Sequence, residues 1–504
     1  MTNQSRRQFL KTGALFGAAS AAAAVSAPAF STEAPQKWDE TTGLLIVGTG
    51  FAGCAAALEA HYLGAKKEEI MLVDKMSTPG GNSIINGGAV AAAGTDMQEK
   101  EGIKDSADLL FADIMKAGGG LCHPALARRI ADESVANFKW LRDDIGVQFK
   151  AVTYHGGHSV KRSHAVTNNS GSGFILPMLA KLKEFGIEPR LRFIVDEIIV
   201  NDKKEVIGVK ARQGYRFGRE NSGKVLYVRA TKGVLIAAGG FAQNVKYRMS
   251  QDPRLTDKFT STNHPGATGD GLVLAEKAGA QLIDMTEIQT HPTVVPKVGE
   301  MITEAVRGNG AILINKDGKR FFNELNTRDA VSAAILKQKD GVAYLFFDSD
   351  MQKSLKATNK YIKQSYCVSG ATIEEVAGKM GVPAAELQAS IDAWKKGKAA
   401  GKDAFGRADM PRNLDQAPFY AIMVTPAVHH TMGGIKIDSK TQVYNAKGQV
   451  VPGLFAAGEI TGGVHGGNRL GGNAQADIVT FGRIAGQQSY IYAMQAAAAD
   501  KAKK

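Results

Sequence analysis

Three glycines near the start of the chain have the spacing of a dinucleotide-binding turn. Gly48, Gly50 and Gly53 lie in the sequence GTGFAG, which also contains Ala52. The first glycine allows a tight turn, the second lets the backbone approach a pyrophosphate, and the third lets a helix pack closely on a strand. Asp74 follows about twenty residues later, where a carboxylate can accept a hydrogen bond from a ribose hydroxyl. These residues predict a binding site for a dinucleotide.

The segments around these glycines have the order strand, turn, helix, strand. An apolar run over 43–47 leads into the turn, an alanine-rich stretch over 54–64 predicts a helix, and a second apolar run over 70–73 ends at Asp74. A helix that begins at the turn directs its free N–H groups and the positive end of its dipole at the phosphates. This order makes the glycine pattern far more specific than the motif alone.

Two later segments favour FAD over NAD as the dinucleotide. Residues 233–240 have the sequence GVLIAAGG and residues 451–459 the sequence VPGLFAAGE, and both are typical of buried parallel strands. We expect Ala238 and Gly239 to contact the cofactor and Glu459 to bind its ribityl chain, because two-dinucleotide-binding flavoproteins complete their FAD site with such distant strands. The alternative is that both segments are ordinary core strands of an α/β sheet.

The cysteines and histidines show no metal-binding spacing. The chain contains three cysteines, at Cys54, Cys122 and Cys367. No two of them form a C-x-x-C pair, which excludes zinc-ribbon, iron–sulfur and redox-dithiol sites as well as attachment of a c-type haem. Three histidines lie near one another, at His155, His158 and His164. Their spacing fits no zinc site, so we expect no metal.

Five further segments, in order along the chain, resemble the soluble flavocytochrome c fumarate reductases. They are 80–83 (GGNS), 304–308 (EAVRG), 321–328 (FFNELNTR), 429–434 (HHTMGG) and 467–473 (GNRLGGN). The resemblance extends from about Thr41 to the C-terminus. It implies an α/β fold, with a Rossmann-like two-dinucleotide-binding FAD domain over 41–285 and 431–504 and an inserted α+β capping (clamp) domain over 286–430.

The resemblance also implies that the FAD is bound non-covalently. In membrane-bound relatives a histidine at the position of Asn82 carries covalent flavin, and this chain has an asparagine there. The other residues that we expect at the cofactor are Gly81, Gly88, Gly472, Asn473 and Ala474.

Reduction of an activated alkene requires a hydride donor, a clamp for the substrate carboxylate, and an acid for the second carbon. Reduced FAD is the hydride donor that the resemblance implies. The same resemblance assigns substrate binding to His291, Thr303, His429 and Arg469. Arg469 can hold a carboxylate through two N–H groups, and the histidines and Thr303 can polarise it.

The resemblance assigns the acid to Arg328, with Glu304 and Arg307 as its proton-delivery relay. Because an arginine is normally always protonated, it can act as an acid only if a partner returns its proton promptly. Glu304 and Arg307 are three residues apart and would share one face of a helical turn. From its residue type alone, Arg328 would be interpreted as a substrate clamp, and this alternative stays open.

The function implied is periplasmic reduction of fumarate to succinate. One alternative is reduction of another enoate, such as methacrylate, acrylate or urocanate. Another is a non-catalytic flavin subunit that transfers electrons or binds a dicarboxylate. The residues of the proton relay favour an enzyme, because a binding module needs no proton supply.

The first 31 residues have the pattern of a twin-arginine signal peptide. The sequence SRRQFLK over 5–11 precedes an alanine-rich run over 12–25, and Ala27-Pro28-Ala29 suits cleavage after Ala29. This route exports folded proteins that have acquired a cofactor. No later segment reaches eighteen uninterrupted apolar residues, so we expect a periplasmic protein that is not embedded in the membrane.

Without a haem-attachment motif of its own, the chain should receive electrons from a separate periplasmic multihaem cytochrome c. Its formal net charge of +13 suits an acidic partner or an anionic substrate. Basic residues are not interleaved with aromatic ones, so nucleic acid is not expected. Residues 351–412 predict scaffold helices with no catalytic pattern, and we expect the glycine-rich segment 461–467 to wrap the isoalloxazine or its phosphates.

Overall fold

The strand before the glycine turn lies inside a mixed sheet. This computed structural model describes residues 34–502, with side chains as far as residue 495. The predicted signal peptide, residues 1–31, lies outside the described residues. From edge to edge, the main path of the sheet is Gln442–Tyr444, Val450–Ala456, Lys224–Ile236, Glu40–Val47 and Ile70–Val73. Two further strands, Phe193–Val200 and Val206–Gln213, extend it from Lys224–Ile236. The predicted α/β fold is confirmed.

The distant segments predicted to complete the nucleotide site join this sheet in parallel. Glu40–Val47 pairs with Ile70–Val73 on one side and with Lys224–Ile236 on the other. Val450–Ala456 then pairs in parallel with Lys224–Ile236. Because parallel strands end at the same edge of a sheet, the glycine turn, Asp74 and the segment that follows Ala456 meet there.

Small residues let two helices cover this sheet at close range. The helix Phe51–Tyr62 is buried along nearly its whole length and packs against the C-terminal helix Asn473–Ala502. A Cβ atom added at Gly486 would lie 2.3 Å from the carbonyl oxygen of Ala56, and one at Gly482 would lie 2.8 Å from that of Ala52. Gly482 and Gly486 are therefore required by the close contact between the two helix backbones.

Residues 288–431 contain a second, antiparallel sheet. Its strands are Ile288–Val294, Phe419–Thr431, Ala343–Asp348, Ile312–Ile314 and Cys367–Gly370. Alternate residues of these strands form two apolar clusters on opposite faces, one with Leu345 and Phe347 and the other with Tyr344 and Phe346. The sequence predicted only helices and loops over 351–412, so the strand Cys367–Gly370 corrects that expectation.

Smaller elements complete the fold. One small sheet contains Ala89–Ala91, Ser163–Val166 and Phe149–Thr153, and another contains Thr461–Gly462, Gly434–Lys436 and Leu282–Ile283. Short 3-10 or π turns lie at Lys67–Glu69, Trp140–Asp144 and Lys339–Gly341. The remaining helices are Gly81–Ile85, Asp96–Lys100, Ala107–Ala117, Pro124–Lys139, Ser172–Glu184, Val245–Gln251, Asp270–Lys277, Ala305–Gly308, Arg328–Leu336, Ser349–Ser354, Ala357–Lys363, Ile373–Met380 and Ala384–Ala399. Within residues 34–502 the structure contains no helix that is both long and apolar enough to cross a bilayer.

Gly53 should tolerate no side chain, because a Cβ atom there would lie 1.9 Å from the carbonyl oxygen of Gly48. Overpacking of this kind costs about 1–3 kcal/mol. We therefore expect Gly53→Ala to lower both the melting temperature and the flavin content of the purified protein. The matched control is Gly378→Ala in the helix Ile373–Met380, where an added Cβ meets no described atom within 4 Å. Equal flavin content and melting temperature in the two variants would contradict this account of Gly53.

Candidate active site

One cavity of about 550 Å³ is lined both by the glycine turn and by the residues predicted to bind substrate. We call the part lined by Gly48, Gly50 and Asp74 its nucleotide end, and the part lined by His291 and Arg328 its substrate end. A cavity with this lining can hold a dinucleotide together with a small substrate.

The nucleotide end has the features that a pyrophosphate and ribose require. Gly50 is the residue before the helix Phe51–Tyr62, and the first residues of that helix, Phe51 and Ala52, line the cavity. The N–H of Phe51 donates to Ser83 Oγ over 3.0 Å, which holds this helix end against the segment of Asn82. A Cβ atom at Gly48 would lie 2.2 Å from the carbonyl oxygen of Ala237, so only glycine fits this turn. The Asp74 carboxylate is oriented by the backbone N–H groups of Thr49 and Met76.

Most residues predicted to bind the cofactor line this cavity, and three do not. Those that line it are Gly48, Gly50, Ala52, Asp74, Gly81, Asn82, Ala238, Gly239, Glu459, Gly472 and Ala474. Gly53, Gly88 and Asn473 lie behind its wall. Gly53 and Gly88 serve close packing, since a Cβ atom at Gly88 would lie 2.5 Å from the backbone nitrogen of Ser170. Asn473 begins the C-terminal helix, and its Oδ1 atom has no hydrogen-bond partner among the described residues.

Asn82 connects several parts of the cavity wall through its amide. Its Nδ2 atom donates to Asn263 Oδ1 and, over 3.2 Å, to Glu459 Oε2, while its Oδ1 atom accepts from the backbone N–H of His264. Burial raises the pKa of the Glu459 carboxyl, whose other oxygen accepts from the N–H of Thr431. These contacts place the glutamate at the cavity surface, where the sequence predicted a hydroxyl-binding group.

The glycine-rich segment 461–467 does not line the cavity, contrary to the sequence-based expectation. Its backbone packs instead against the loop 118–123, with Gly467 N–H donating to the Gly118 carbonyl over 3.0 Å and His123 N–H donating to Gly463 over 2.7 Å. His465 forms a buried pair with Asp477 over 3.0 Å. The glycines therefore allow two loops to approach each other and do not form a cofactor wrap.

The substrate end contains two histidines whose rings are held by neighbouring groups. The rings of His291 and His429 lie edge to face, with centroids 5.1 Å apart. His291 Nδ1 accepts from the backbone N–H of Thr293, which leaves Nε2 as the protonated nitrogen, and within the described chain that atom has no partner. His429 Nδ1 lies 2.6 Å from Thr262 Oγ1. Both rings can thus be held in fixed orientations toward a ligand in the cavity.

The three residues predicted to form a proton relay lie together in a buried cluster. Arg328 donates to one oxygen of Glu304 through Nε over 2.8 Å and through Nη2 over 2.6 Å. The other oxygen of Glu304 accepts from the backbone N–H of Gly156 over 2.7 Å and lies 3.8 Å from Arg307 Nη2. Arg328 and Glu304 line the cavity, whereas Arg307 lies behind them. The order Arg307, Glu304, Arg328 therefore leads inward to the cavity.

Comparison with known proteins identifies the family. The family model described as an FAD binding domain matches residues 43–474. This chain belongs to that family. The "Fumarate reductase (cytochrome)" of Shewanella frigidimarina is 42% identical over 456 residues, covering 90% of this chain and 78% of that protein. The "Acrylate reductase flavoprotein subunit" of Shewanella woodyi is 36% identical over 495 residues, covering 95% of this chain and 97% of that protein.

The fold comparison agrees with the sequence comparison. The solved open conformation of a flavocytochrome c3 fumarate reductase superposes with a TM-score of 0.73 at 39% identity, covering 91% of this chain and 79% of that chain. The protein is an FAD-dependent oxidoreductase of the fumarate reductase family. The predicted family and cofactor are both confirmed.

Burial sets the charges at the substrate end of this flavoprotein. Burial, reinforced by Arg328, holds the pKa values of His291 and His429 well below their ordinary range, so both rings are neutral. Burial alone would raise the pKa of Glu304, but Arg328 and Arg307 outweigh it and hold that pKa well below the ordinary value. Burial lowers the pKa of Arg469 to about 9, so it stays protonated at neutral pH. The site therefore combines neutral histidines with fixed charges.

Gln289 is a site residue that the sequence did not reveal. Its Oε1 atom accepts from Arg328 Nη1 over 3.2 Å and from Arg469 Nη2 over 3.0 Å. Its Nε2 atom donates to Asn468 Oδ1 and to the Arg469 carbonyl. Gln289 thus holds two like-charged guanidinium groups side by side. Its position two residues before His291 in the same strand was the available signal, since alternate residues of a strand share one face.

The segment predicted to be scaffold, 351–412, also reaches the site. The backbone N–H of Thr303 donates to the hydroxyl of Tyr361 over 3.1 Å, which fixes the backbone next to Glu304. Lys360 lines the cavity and pairs with Glu300 over 2.6 Å. No periodicity or motif in the sequence distinguishes Lys360 and Tyr361. The structure therefore corrects the expectation that residues 351–412 are scaffold only.

His155, His158 and His164 are buried side chains with separate partners. His155 lines the cavity beside Glu304, His158 Nε2 bonds to the Gly471 carbonyl over 2.8 Å, and His164 lies between Thr95 Oγ1 and the Arg162 carbonyl. Across the described chain, no cluster of histidine, cysteine, aspartate or glutamate could hold a metal ion. Burial lowers the pKa of His155 to about 4, of His158 to about 3 and of His164 to about 4.

These histidines should make the protein sensitive to mild acid. In the unfolded chain they titrate near pH 6.5, so between about pH 4 and 6.5 the unfolded state binds more protons and stability rises with pH. We expect the free energy of unfolding, measured by urea titration at several pH values, to fall progressively as the pH is lowered through this window.

The variant His164→Gln isolates one of these groups, because glutamine retains one donor and one acceptor for Thr95 and the Arg162 carbonyl. It should reduce the slope of stability against pH by up to about 1.4 kcal/mol per pH unit, the contribution of one proton. An unchanged slope in this variant would show that His164 is not neutral in the folded protein.

Proposed function

We propose that this chain reduces fumarate to succinate, with Arg328 as the acid and with Glu304 and Arg307 as the relay that returns its proton. The observation that carries the proposal is the buried contact of Arg328 with Glu304, which opens directly onto the cavity. A buried ion pair that faces a cavity is costly to maintain for structure alone, so a chemical role accounts for it better.

The balance of charge favours an anionic substrate. Three arginines, Arg328, Arg469 and Arg307, lie near two carboxylates, Glu304 and Glu459, and the histidines are neutral. Burial raises the pKa of Glu459, which accepts hydrogen bonds from Asn82 and Thr431. The positive groups outnumber the negative ones, so the carboxylates of a substrate such as fumarate suit this part of the cavity.

The unpaired donors suit carboxylate oxygens. His291 Nε2 and Arg469 Nε are buried and have no hydrogen-bond partner in the part of the chain that the structure describes. Leaving such donors unsatisfied costs about 1–3 kcal/mol each, and a bound carboxylate removes that penalty. We assign His291, Thr303, His429 and Arg469 to the clamp, which holds one carboxylate and polarises the alkene.

Bound FAD, once reduced, supplies the hydride for one alkene carbon. Arg328 donates a proton to the other carbon. A proton then passes from Arg307 to the ionised Glu304 and from Glu304 to Arg328 across the contact that joins them, and solvent returns a proton to Arg307. The neighbouring arginines keep Glu304 ionised between turnovers, so it is ready to accept a proton from Arg307 and pass it on.

We assign residues 41–285 and 431–504 to the FAD-binding domain and 286–430 to a capping domain that closes over the substrate. Support comes from the separate apolar clusters of the inserted sheet and from the way its strands Ile288–Val294 and Phe419–Thr431 lead to the cavity. Closure would exclude water from the reacting atoms.

We further propose that the FAD is non-covalent, that the protein is exported to the periplasm by the twin-arginine route, and that a separate multihaem cytochrome c supplies electrons. Asn82 cannot form a flavin bond as a histidine can, which supports the first point. The absence of any C-x-x-C-H sequence in the chain supports a separate donor. The Shewanella woodyi relative, of which this chain covers 97%, is described as a flavoprotein subunit, in agreement with electron supply from another chain.

A second candidate is reduction of a monocarboxylic enoate, favoured by the likeness to an acrylate reductase subunit over nearly its whole length. A non-catalytic flavin subunit is the third. The buried relay opposes it, because a binding site for a dicarboxylate has no use for Arg307 and Glu304 behind the first arginine.

Anaerobic oxidation of reduced methyl viologen by the FAD-loaded protein tests the substrate. We expect fumarate to be reduced at least tenfold faster than methacrylate, acrylate or urocanate, a difference of about 1.4 kcal/mol in the transition state. A faster rate with a monocarboxylate would change the assigned substrate but not the assigned proton relay. Turnover of none of the four acids would support the binding subunit.

Replacement of Arg328 tests the acid. We expect Arg328→Ala to lower kcat about 10²–10⁴-fold, the usual contribution of a general acid, in the same viologen assay. Substrate should still perturb the flavin absorbance, because Arg469 and the histidines remain. Arg328→Lys is the matched variant, which keeps the positive charge but loses the paired contact with Glu304. Retention of wild-type kcat in Arg328→Ala would remove this residue from the role of acid.

A further inference from the structure

Arg407 lies in a segment with no catalytic pattern, yet its side chain bonds directly to the backbone of the relay. Its guanidinium is buried and donates through Nη2 to the carbonyl oxygen of Arg307 over 2.6 Å. Through Nη1 it donates to the carbonyl oxygen of Ala311 over 2.9 Å. Arg407 therefore fixes two points of the short segment that carries Arg307.

Glu324 holds the same segment together with Arg407. Its backbone carbonyl accepts from Arg307 Nη1 over 2.6 Å, and its carboxylate accepts from Arg407 Nη1 over 3.0 Å. The same carboxylate accepts from the backbone N–H of Leu313 over 3.1 Å. Arg307 is thus held through its side chain by Glu324 and through its carbonyl by Arg407.

An outer layer fixes the orientation of Arg407 itself. Asp403 accepts from the backbone N–H of Arg407 over 3.0 Å and binds Arg320, which in turn binds Glu324 over 2.8 Å. The ring of Trp394 lies 4.9 Å from both the Arg320 and the Arg407 guanidinium groups. Hydrogen bonds and the packed ring of Trp394 therefore hold the side chain of Arg407 in one orientation.

The relay needs such support because its own segment is short. Arg307 lies in the helix Ala305–Gly308, and Glu304 is the residue before that helix. A helix of this length is not stable by itself. The distance of 3.8 Å from Arg307 Nη2 to Glu304 Oε1 is longer than a hydrogen bond. A displacement of about 1 Å therefore decides whether a proton can pass, and errors of that size can cost about 10²-fold in rate.

We propose that Arg407, held by Glu324, is a positioning residue that sets the distance between Arg307 and Glu304 and thereby the rate of proton delivery to Arg328. Arg407 does not line the cavity, so it contacts neither substrate nor cofactor. The inference rests on the proposed function, because it requires that Arg307 and Glu304 return the proton. It assigns a part in turnover to residues 403–407, about one hundred positions from the relay.

The test compares Arg407→Met and Arg407→Lys with a matched control, Arg248→Met. Arg248 is likewise buried and donates to backbone carbonyls, those of Ala242, Leu255, Thr256 and Phe259, but it lies outside the cavity wall and the relay. Each FAD-loaded enzyme is assayed for kcat, for KM of the enoate that the wild type reduces best, and for the solvent deuterium isotope effect on kcat.

We expect Arg407→Met to lower kcat about 10–100-fold, with KM within about twofold of the wild type, as misplacement of a relay group predicts. The isotope effect should increase, because proton delivery becomes rate-limiting. Arg407→Lys should recover part of kcat, since lysine keeps the charge beside Glu324 but cannot bond to both carbonyls. Arg248→Met should change melting temperature without raising the isotope effect.

If Arg407→Met fails to retain flavin, Arg407→Lys decides by the same comparison of kcat and isotope effect. A wild-type kcat in the variant that folds, or a loss of kcat with the isotope effect of the wild type, would overturn the inference. An active wild type with an unaffected Arg407 variant would overturn this inference alone. A wild type that reduces no enoate would overturn the proposed function and this inference with it.

Discussion

The contact between Arg328 and Glu304 is the interaction on which the arrangement of the site depends. Both side chains are buried, and a buried charge that loses its partner destabilises a protein by about 3–5 kcal/mol. Glu304 is therefore held at both oxygens, by Arg328 at one and by the Gly156 backbone at the other. The segments that carry Arg328, Glu304 and Gly156 must therefore hold fixed positions for the ion pair to form. The antiparallel sheet beside them helps to fix those positions.

The strand Phe419–Thr431 supplies much of this fixation. Its first half pairs with Ala343–Asp348, and its second half pairs with Ile288–Val294. One strand therefore connects the apolar core of the antiparallel sheet with the wall of the cavity. His429 and His291 lie on these two strands, and Arg469 reaches the same place from the loop before the C-terminal helix. Gln289 connects Arg328 with Arg469, because its side-chain oxygen accepts a hydrogen bond from each of them.

The parts of this structure that could be predicted are those fixed by local chemistry. Continuous apolar runs beside Gly48 leave few alternatives to a parallel strand and a tight turn, and the strand Ile70–Val73 lies where its sequence placed it. Gln289, Tyr361 and Arg407 could not be found in this way, because their roles come from partners 180, 58 and 100 positions away. The glycines of 461–467 indicated that another group approaches this backbone closely, but composition does not show whether that group is a cofactor or another loop. In the structure it is the loop 118–123.

If the proposed function holds, substrate binding and proton transfer are coupled through charge. Burial together with Arg328 lowers the pKa of Arg469 to about 9 and that of Arg307 to about 10. A substrate carboxylate in the cavity would bring opposite charge beside Arg469 and raise its pKa again. A proton on Arg328 would likewise be held more firmly beside a bound carboxylate, and its release would have to wait for the negative charge that develops on the alkene carbon. On this proposal, the charge of the substrate affects both its affinity and the timing of proton transfer.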